Sequence, residues 1–393
     1  MIDTIVLTLS RDMYHLTDPD KFEPSARWIN DTTGRLGSRA FIASKQNPTR
    51  SDLLNGIYKP RLTLTNRFNH LRRWEATLKI ELSLPKLLFG NNFDEMQDSD
   101  FGAVTNKLKQ RLKEMGVRVF LPLLINAPVS AVHYSKNIPL TDGTTPHYLI
   151  GKIKEANIKL SLDVNQTDYR NDGHCYKWHA NSYEVAFYDK IKDLETANKS
   201  EKRAVENDNA IQLNLFEAFE GRKRLEVLRM EVRLNKRQKI GQLFRLLGIQ
   251  SELIYKNLFN STVSKNVLLH YLDELESKRL ALFDYKPATQ KALLADLIIK
   301  NPKLGMNRTL QLYGLKQVFE AVTPRELRAM FGNYCQRSWY RLIAEAKKVI
   351  LPATTSPLSV IRKHLTNFEP LKLVDFQNAT KDRMGLDNAC KPL

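Results

Sequence analysis

Apolar and polar residues alternate with period two through much of the first 235 positions, and with a period near 3.6 beyond them. Residues 2–9, 60–66, 78–84, 129–135, 158–164, 182–188 and 225–234 each read as strands. In 182–188, Tyr183, Val185 and Phe187 share one face, while Ser182, Glu184, Ala186 and Tyr188 share the other. In 225–234, Leu228, Met230, Val232 and Leu234 form the apolar row and Arg229, Glu231 and Arg233 the opposite one. In 158–164 the same alternation sets Asp163 opposite Ile158, Leu160, Leu162 and Val164.

Helical spacing appears at 103–115, where Gly116 supplies the stop, and at 147–156. Residues 193–221 are helical in propensity, charged and weakly apolar. From 238 onward helices follow one another at 240–247, 251–259, 265–282, 289–299, 309–321, 324–334 and 339–349. Thr323-Pro324-Arg325-Glu326 opens one of them with a capping-box pattern and proline in the first turn. The pattern predicts an α+β protein. An antiparallel-sheet domain spans 1–237, an all-α domain 238–352, and an extended tail 353–393. The run Leu78-Lys79-Ile80-Glu81-Leu82 is similar to Leu228-Arg229-Met230-Glu231-Val232, which marks a candidate internal duplication.

Composition narrows the class. With 393 residues, 42% hydrophobic and 26% charged, the chain can bury two or more cores. It holds no apolar run of about 18 residues, so no transmembrane helix is expected, and its first residues read as a strand and not a signal peptide. Three widely spaced cysteines argue against a disulfide framework and for a reducing compartment. Lys and Arg number 61 against 43 Asp and Glu, a net charge of +18 that favours a polyanionic partner. No basic amphipathic helix with exposed Trp or Phe supports a membrane surface.

Four constellations carry candidate chemistry. Tyr188 leaves the apolar face of its strand beside Lys190 and Lys192. A tyrosine can attack a phosphodiester and keep the bond energy in a phosphotyrosine link, with the lysines favouring phenolate and offsetting phosphate charge. Arg229-x-Glu231-x-Arg233 is either a charge-balanced ladder or a metal ligand between phosphate clamps. His133 and Asp163 are candidate companions of Glu231 around a divalent ion such as Mg²⁺ or Mn²⁺. His174, Cys175 and His179 lack the second pair that a structural zinc site needs, but His179 leads directly into the Tyr188 strand. In the helical half, Arg325, Arg328, Arg337 and Arg341 interleave with Trp339 in a mix suited to DNA backbone contact and stacking, and Lys236 and Arg237 extend the basic strand end. Walker A, dinucleotide-binding, HExxH and GxSxG motifs are all absent.

Several of these residues recur in an ordered set. Met1-Ile2-Asp3 is followed by Val6-Leu7. Ser83, Lys86, Leu88, Gly90 and Asn92 fall at S-x-x-K-x-L-x-G-x-N spacing. Trp178 precedes Phe187-Tyr188 by nine residues, and Arg229-Met230-Glu231 and Ser338-Trp339-Tyr340-Arg341 follow. This set resembles the replication initiators of filamentous bacteriophages, the gene II-type endonucleases of rolling-circle replication. Tyr188-Asp189-Lys190 with its following acid is also similar to a signature of plasmid rolling-circle initiators. The likeness runs over residues 1 to about 350 at low identity. It implies that Tyr188 is the nicking tyrosine and Glu231 a metal-site residue. His133 stands where the phage family carries an aspartate. The H-x-H metal motif of many rolling-circle initiators is absent.

The expectation is therefore a tyrosine nickase that acts on a double-stranded origin, stays attached, and rejoins the displaced single strand. It would work with host replication machinery in the cytoplasm of a bacterial cell. A non-catalytic, sequence-specific DNA-binding protein is the alternative of another class, and a relaxase or transposase would share the same tyrosine chemistry.

Overall fold

The structure is a computed structural model. It describes residues 1–24, 43–68, 74–156, 167–170, 172–198, 226–277, 280–322, 324–331, 336–352 and 356–372. Its strands are β1 (Ile2–Ser10), β2 (His15–Leu16), β3 (Glu23–Pro24), β4 (Ala43–Gln46), β5 (Arg61–Phe68), β6 (Trp74–Ser83), β7 (Val117–Arg118), β8 (Val129–Pro139), β9 (Thr167–Arg170), β10 (Cys175–Ala180), β11 (Tyr183–Asp189) and β12 (Val227–Leu234). Ten of them make one antiparallel sheet in the order β3-β4-β5-β6-β1-β8-β12-β11-β10-β9, and β2 pairs with β7 in a separate ribbon.

The sheet order is a palindrome about the β1–β8 pair. From the centre outward, one half runs β1-β6-β5-β4-β3 and the other β8-β12-β11-β10-β9. Each half thus places its first strand innermost and its last strand next. The similar runs noted above lie on β6 and β12, at equivalent places in the two halves. Alternation then assigns the faces. Ile5, Leu7, Leu9, Leu78, Ile80, Leu82, Val132, Tyr134, Val185, Phe187, Leu228, Met230 and Val232 are all buried in one core.

The helices are α1 (Arg50–Leu54), α2 (Leu84–Phe89), α3 (Phe101–Glu114), α4 (Leu121–Ile125), α5 (Pro146–Ala156), α6 (Lys190–Asn198), α7 (Arg237–Leu246), α8 (Tyr255–Leu258), α9 (Ser261–Ser277), α10 (Ala281–Asp284), α11 (Gln290–Lys300), α12 (Met306–Ala321), α13 (Pro324–Met330), α14 (Gln336–Ala346) and α15 (Ser359–Asn367). The sheet core takes Val104, Leu108 and Leu112 from α3, Leu149 and Ile153 from α5, and Ile240, Leu243 and Phe244 from α7. It also takes Val267, Leu268, Leu272 and Leu275 from α9. A second core gathers Leu280, Leu282, Leu293, Leu297, Leu312, Leu315, Leu327, Trp339, Ile343 and Ala346.

Three expected boundaries move. The change of period at residue 238 marks a change of element and not of core: α7 and α9 lay their apolar faces on the sheet, and the cores part between Leu275 and Leu280. The expected helix over 265–282 ends instead at Ser277, and Ala281–Asp284 forms a separate turn of helix. The expected tail beginning at 353 contains α15, whose Ile361 and Leu365 are fully buried in the sheet core. At roughly 1.5–3 kcal/mol for each fully buried aliphatic side chain, these two contribute to docking the helix on the sheet. The strand expected over 158–164 and most of the 193–221 segment lie outside the described residues.

Candidate functional site

The site grows from strand register. β11 and β12 pair so that Tyr188 faces Arg229, Ala186 faces Glu231 and Glu184 faces Arg233. β12 and β8 pair so that Arg229 faces Asn137, Glu231 faces Ser135 and Arg233 faces His133. These side chains share the sheet face opposite the aliphatic core. An irregularity in the β1–β8 pairing between Ile2 and Thr4 delivers Asp3 to the same group.

Tyr188 Oη donates to Glu231 Oε2 at 3.0 Å. Arg233 donates to the same carboxylate from Nε at 2.8 Å and from Nη2 at 3.3 Å, and pairs with Glu184 at 3.0 Å. Arg229 is buried and engaged through both Nη atoms. Its Nη2 donates to Asp3 Oδ1 at 2.6 Å and to Ser135 Oγ at 2.9 Å, and its Nη1 to the Asn92 carbonyl at 2.7 Å and to Asn137 Oδ1 at 3.3 Å. Burial alone would raise the Glu231 carboxyl. The Arg233 and Arg229 guanidiniums outweigh it and hold the group well below the usual carboxylate range. The Tyr188 phenol moves the opposite way: burial raises it well above its ordinary value, against the pull of Arg229.

The lysines take different positions. Lys190, at the start of α6, is fully buried and donates to Asn92 Oδ1 at 2.8 Å, with Nζ 6.0 Å from the Tyr188 ring centre. Burial, with Arg229 nearby, lowers its amine to about 7. Lys192 turns to His174, Nζ to Nε2 3.0 Å. The expectation that both lysines favour phenolate is therefore corrected. Tyr188 is held as a phenol, and Lys190 is the group whose proton affinity falls near neutrality.

His133 and Glu231 do converge. His133 Nδ1 lies 3.8 Å from Glu231 Oε1, and its Nε2 meets Asn235 Oδ1 at 3.3 Å. With Asn235 as acceptor, Nε2 carries the proton and the Nδ1 lone pair faces the carboxylate. Burial lowers the imidazole, against the pull of Glu231, and so favours its neutral form. An imidazole nitrogen and a carboxylate oxygen are two ligand types for a divalent ion, and the same Oε1 here already accepts from Arg233 Nε at 2.8 Å. Among the described residues no group of three such ligands forms, and Asp163 lies outside them.

The other candidates divide. His179 faces Glu184 across the β10–β11 pair, extending the row of His133 and Arg233. Lys236 is exposed. Arg237 donates to the carbonyls of Val129 and Leu253 at 2.9 and 2.8 Å, a link between α7 and the start of β8. Arg337 and Arg341 are exposed on α14, and Arg328 on α13 stacks 5.5 Å from the Tyr340 ring centre. The Arg325 side chain lies outside the described ones. Trp339 is corrected: it is 8% exposed and belongs to the second core, so it is closed to stacking with a base. Its spacing to Ile343 and Ala346 puts it on the buried stripe of α14.

Sequence reasoning passed over Asp3, Asn92, Ser135 and Asn137, the acceptors around Arg229 and Lys190. Asp3 had a signal, being a carboxylate inside an apolar strand, and Asn92 ended the S-x-x-K-x-L-x-G-x-N run. That run forms a wall of the site: α2 ends at Gly90, whose left-handed backbone (φ 78°) turns the chain toward Asn92. No family model matches the chain, and no curated protein or solved structure matches it either.

Proposed function

We propose that this chain nicks one strand of DNA through Tyr188 and remains covalently attached to it, as an initiator of rolling-circle replication. The observation that carries the reading is the Tyr188–Glu231 hydrogen bond, set on the polar sheet face between Arg229 and Arg233. Tyr188 Oη attacks the scissile phosphorus, an Oη–P bond forms, and the P–O3′ bond breaks. The phenolic proton leaves to a base and the departing 3′ oxygen takes up a proton. Glu231 orients the phenol. Its own proton affinity is too low for it to hold the proton, whereas the Lys190 amine, brought to about 7 with its Nζ 6.0 Å from the Tyr188 ring centre, is matched to that task through one bridging water. Arg233, less buried than Arg229, is the guanidinium placed to meet a phosphate oxygen.

His133 and Glu231 are the residues that would hold a divalent ion such as Mg²⁺ or Mn²⁺, which would supply polarisation of the phosphate oxygens. The resemblance to phage initiators supports the choice of a double-stranded origin as substrate and of the displaced single strand in rejoining. Host replication machinery and a bacterial cytoplasm follow from the same reading. Relaxases and transposases would use the same residues on other DNA.

The test needs no knowledge of the origin. A pool of labelled single-stranded oligonucleotides of random sequence is incubated with the protein and Mg²⁺ or Mn²⁺, then run on a denaturing protein gel. Label is expected to travel with the protein and to vanish in Tyr188→Phe. Equal label in that variant would overturn the assignment.

A further inference from the structure

Outside the sheet, the second core presents a feature of its own. α12, α13 and α14 meet through Leu312, Leu315, Leu327, Trp339, Ile343 and Ala346. The buried residues of α14 fall on one stripe. Arg337, Ser338, Tyr340, Arg341 and Ala344 are all exposed on the other side, with Lys348 just past the helix end. Arg337, Tyr340, Arg341, Ala344 and Lys348 are spaced i, i+3, i+4, i+7 and i+11, which lines them up along the helix. Tyr340 is 51% exposed. Arg328 of α13 stacks on its ring and ties the two helices together at their outer edge. The one acid on α14, Glu345, is taken up by Arg308. Among the described residues no ion pair engages Arg337 or Arg341.

From this arrangement we infer that α14 inserts its Arg337–Tyr340–Arg341 face into the major groove of duplex DNA. Eleven residues at about 1.5 Å each give a rod of about 16 Å, and a helix is the element that a major groove roughly 12 Å wide admits. Charge decides the partner. A stripe with two guanidiniums that no ion pair engages among the described residues, a lysine, and its one acid taken up by Arg308 matches phosphate and guanine edges. This surface belongs to a different core from Tyr188, so duplex recognition and strand chemistry are separate sites on one chain, and the inference stands without the nicking reading.

The experiment uses full-length Tyr188→Phe protein, which removes any covalent step. Binding to a fluorescent 24-base-pair duplex of mixed sequence, and to the same strands unpaired, is followed by anisotropy over a salt series. Arg337→Ala/Arg341→Ala is expected to weaken duplex binding tenfold or more. It should also flatten the slope of log affinity on log salt by about two, at roughly 0.9 for each phosphate that is no longer neutralised, with single-strand affinity changed less than twofold. Tyr340→Ala tests the same face without changing charge: it is expected to abolish the enrichment of any preferred sequence from a random duplex pool while keeping the salt slope. Unchanged duplex affinity in the double variant overturns the inference. So does an equal loss for paired and unpaired strands, since that would make the face a general single-strand surface. Oligonucleotide trapping by wild-type protein reports on Tyr188 alone and fails or succeeds independently.

Discussion

Tyr188 and Glu231, 43 residues apart in the chain, share a hydrogen bond of 3.0 Å, and the carboxylate in that bond is the counter-charge for two guanidiniums. The two residues therefore differ in what their loss exposes. Tyr188→Phe removes one partly exposed hydroxyl and is expected to cost about 1 kcal/mol. Glu231→Gln removes the anion that Arg229 and Arg233 share, leaving them Asp3 and Glu184, and about 2–3 kcal/mol is expected. Urea denaturation of both variants checks the ranking. Equal costs would mean that the hydroxyl belongs to the structural network and is not poised on it.

Acid should weaken the fold through its buried amines. The Lys190 amine is lowered from 10.5 to about 7 and the Met1 amine from 8.0 to about 5, each chiefly by burial. Between its folded and unfolded values each amine holds fewer protons in the folded protein than in the unfolded chain, so stability rises with pH across that window. The cost of burying Lys190 as a cation is fully present below pH 7 and disappears toward 10.5. Urea midpoints are expected to climb from pH 6 to 9, by up to about 1.4 kcal/mol per unit from Lys190. Lys190→Met should flatten the part above pH 7. An unaltered climb in that variant would assign it to other groups.

Which face each strand residue occupies was legible, because period two leaves no choice once an apolar row is seen. Tyr188, Glu231 and Arg229 were placed on a common type of face in that way. Register was not legible. That Tyr188 lies opposite Arg229 depends on hydrogen bonds between strands separated by a long connection, and no local pattern encodes it. The Asn92 partners were hidden for a related reason: a turn residue acquires them only when α2 packs beside β1. Trp339 shows the opposite failure. Its basic neighbours suggested a stacking surface, yet its spacing to Ile343 and Ala346 already described a core stripe. The core boundary was missed because helices that cover a sheet and helices that form their own core share one period.

Two glycines separate backbone strain from steric contact. Gly90 and Gly116 both close helices in the left-handed region, at φ 78° and 79°. A Cβ on Gly90 would meet nothing within 4 Å, whereas on Gly116 it would stand 2.7 Å from Asp18 Cβ. Gly90→Ala is expected to cost about 1 kcal/mol from the backbone alone. Gly116→Ala adds the displacement of the 17–18 segment, whose Thr17 donates to the Gly116 carbonyl at 2.8 Å, for a total of about 2–3 kcal/mol. Thermal melts of the two variants should differ accordingly. Matched melts would show that the segment yields freely.

The segment following α15 is held by a buried ion pair, and that pair can be dissected. Glu95 and Lys136 are in contact with side chains 6% and 3% exposed. Glu95 Oε2 also accepts from the Leu371 amide at 2.8 Å, and Lys136 Nζ donates to the Glu369 carbonyl at 2.6 Å. Burial would raise the Glu95 carboxyl, but Lys136 and the Met1 amine outweigh it and keep it ionised. Removing either partner strands a charge in a dry site, so Glu95→Leu and Lys136→Met should each cost about 3–5 kcal/mol. Together they replace the pair by apolar groups of similar volume and should recover most of that loss, giving a coupling of several kcal/mol in a double-mutant cycle measured by urea denaturation. The backbone link Glu95 N to Leu371 O, at 3.0 Å, survives both changes. Protease sensitivity of the 368–372 segment should therefore rise in the single variants and fall back in the double one. Additive losses in the cycle would place the energy of the strap in its backbone pairing and not in the charges.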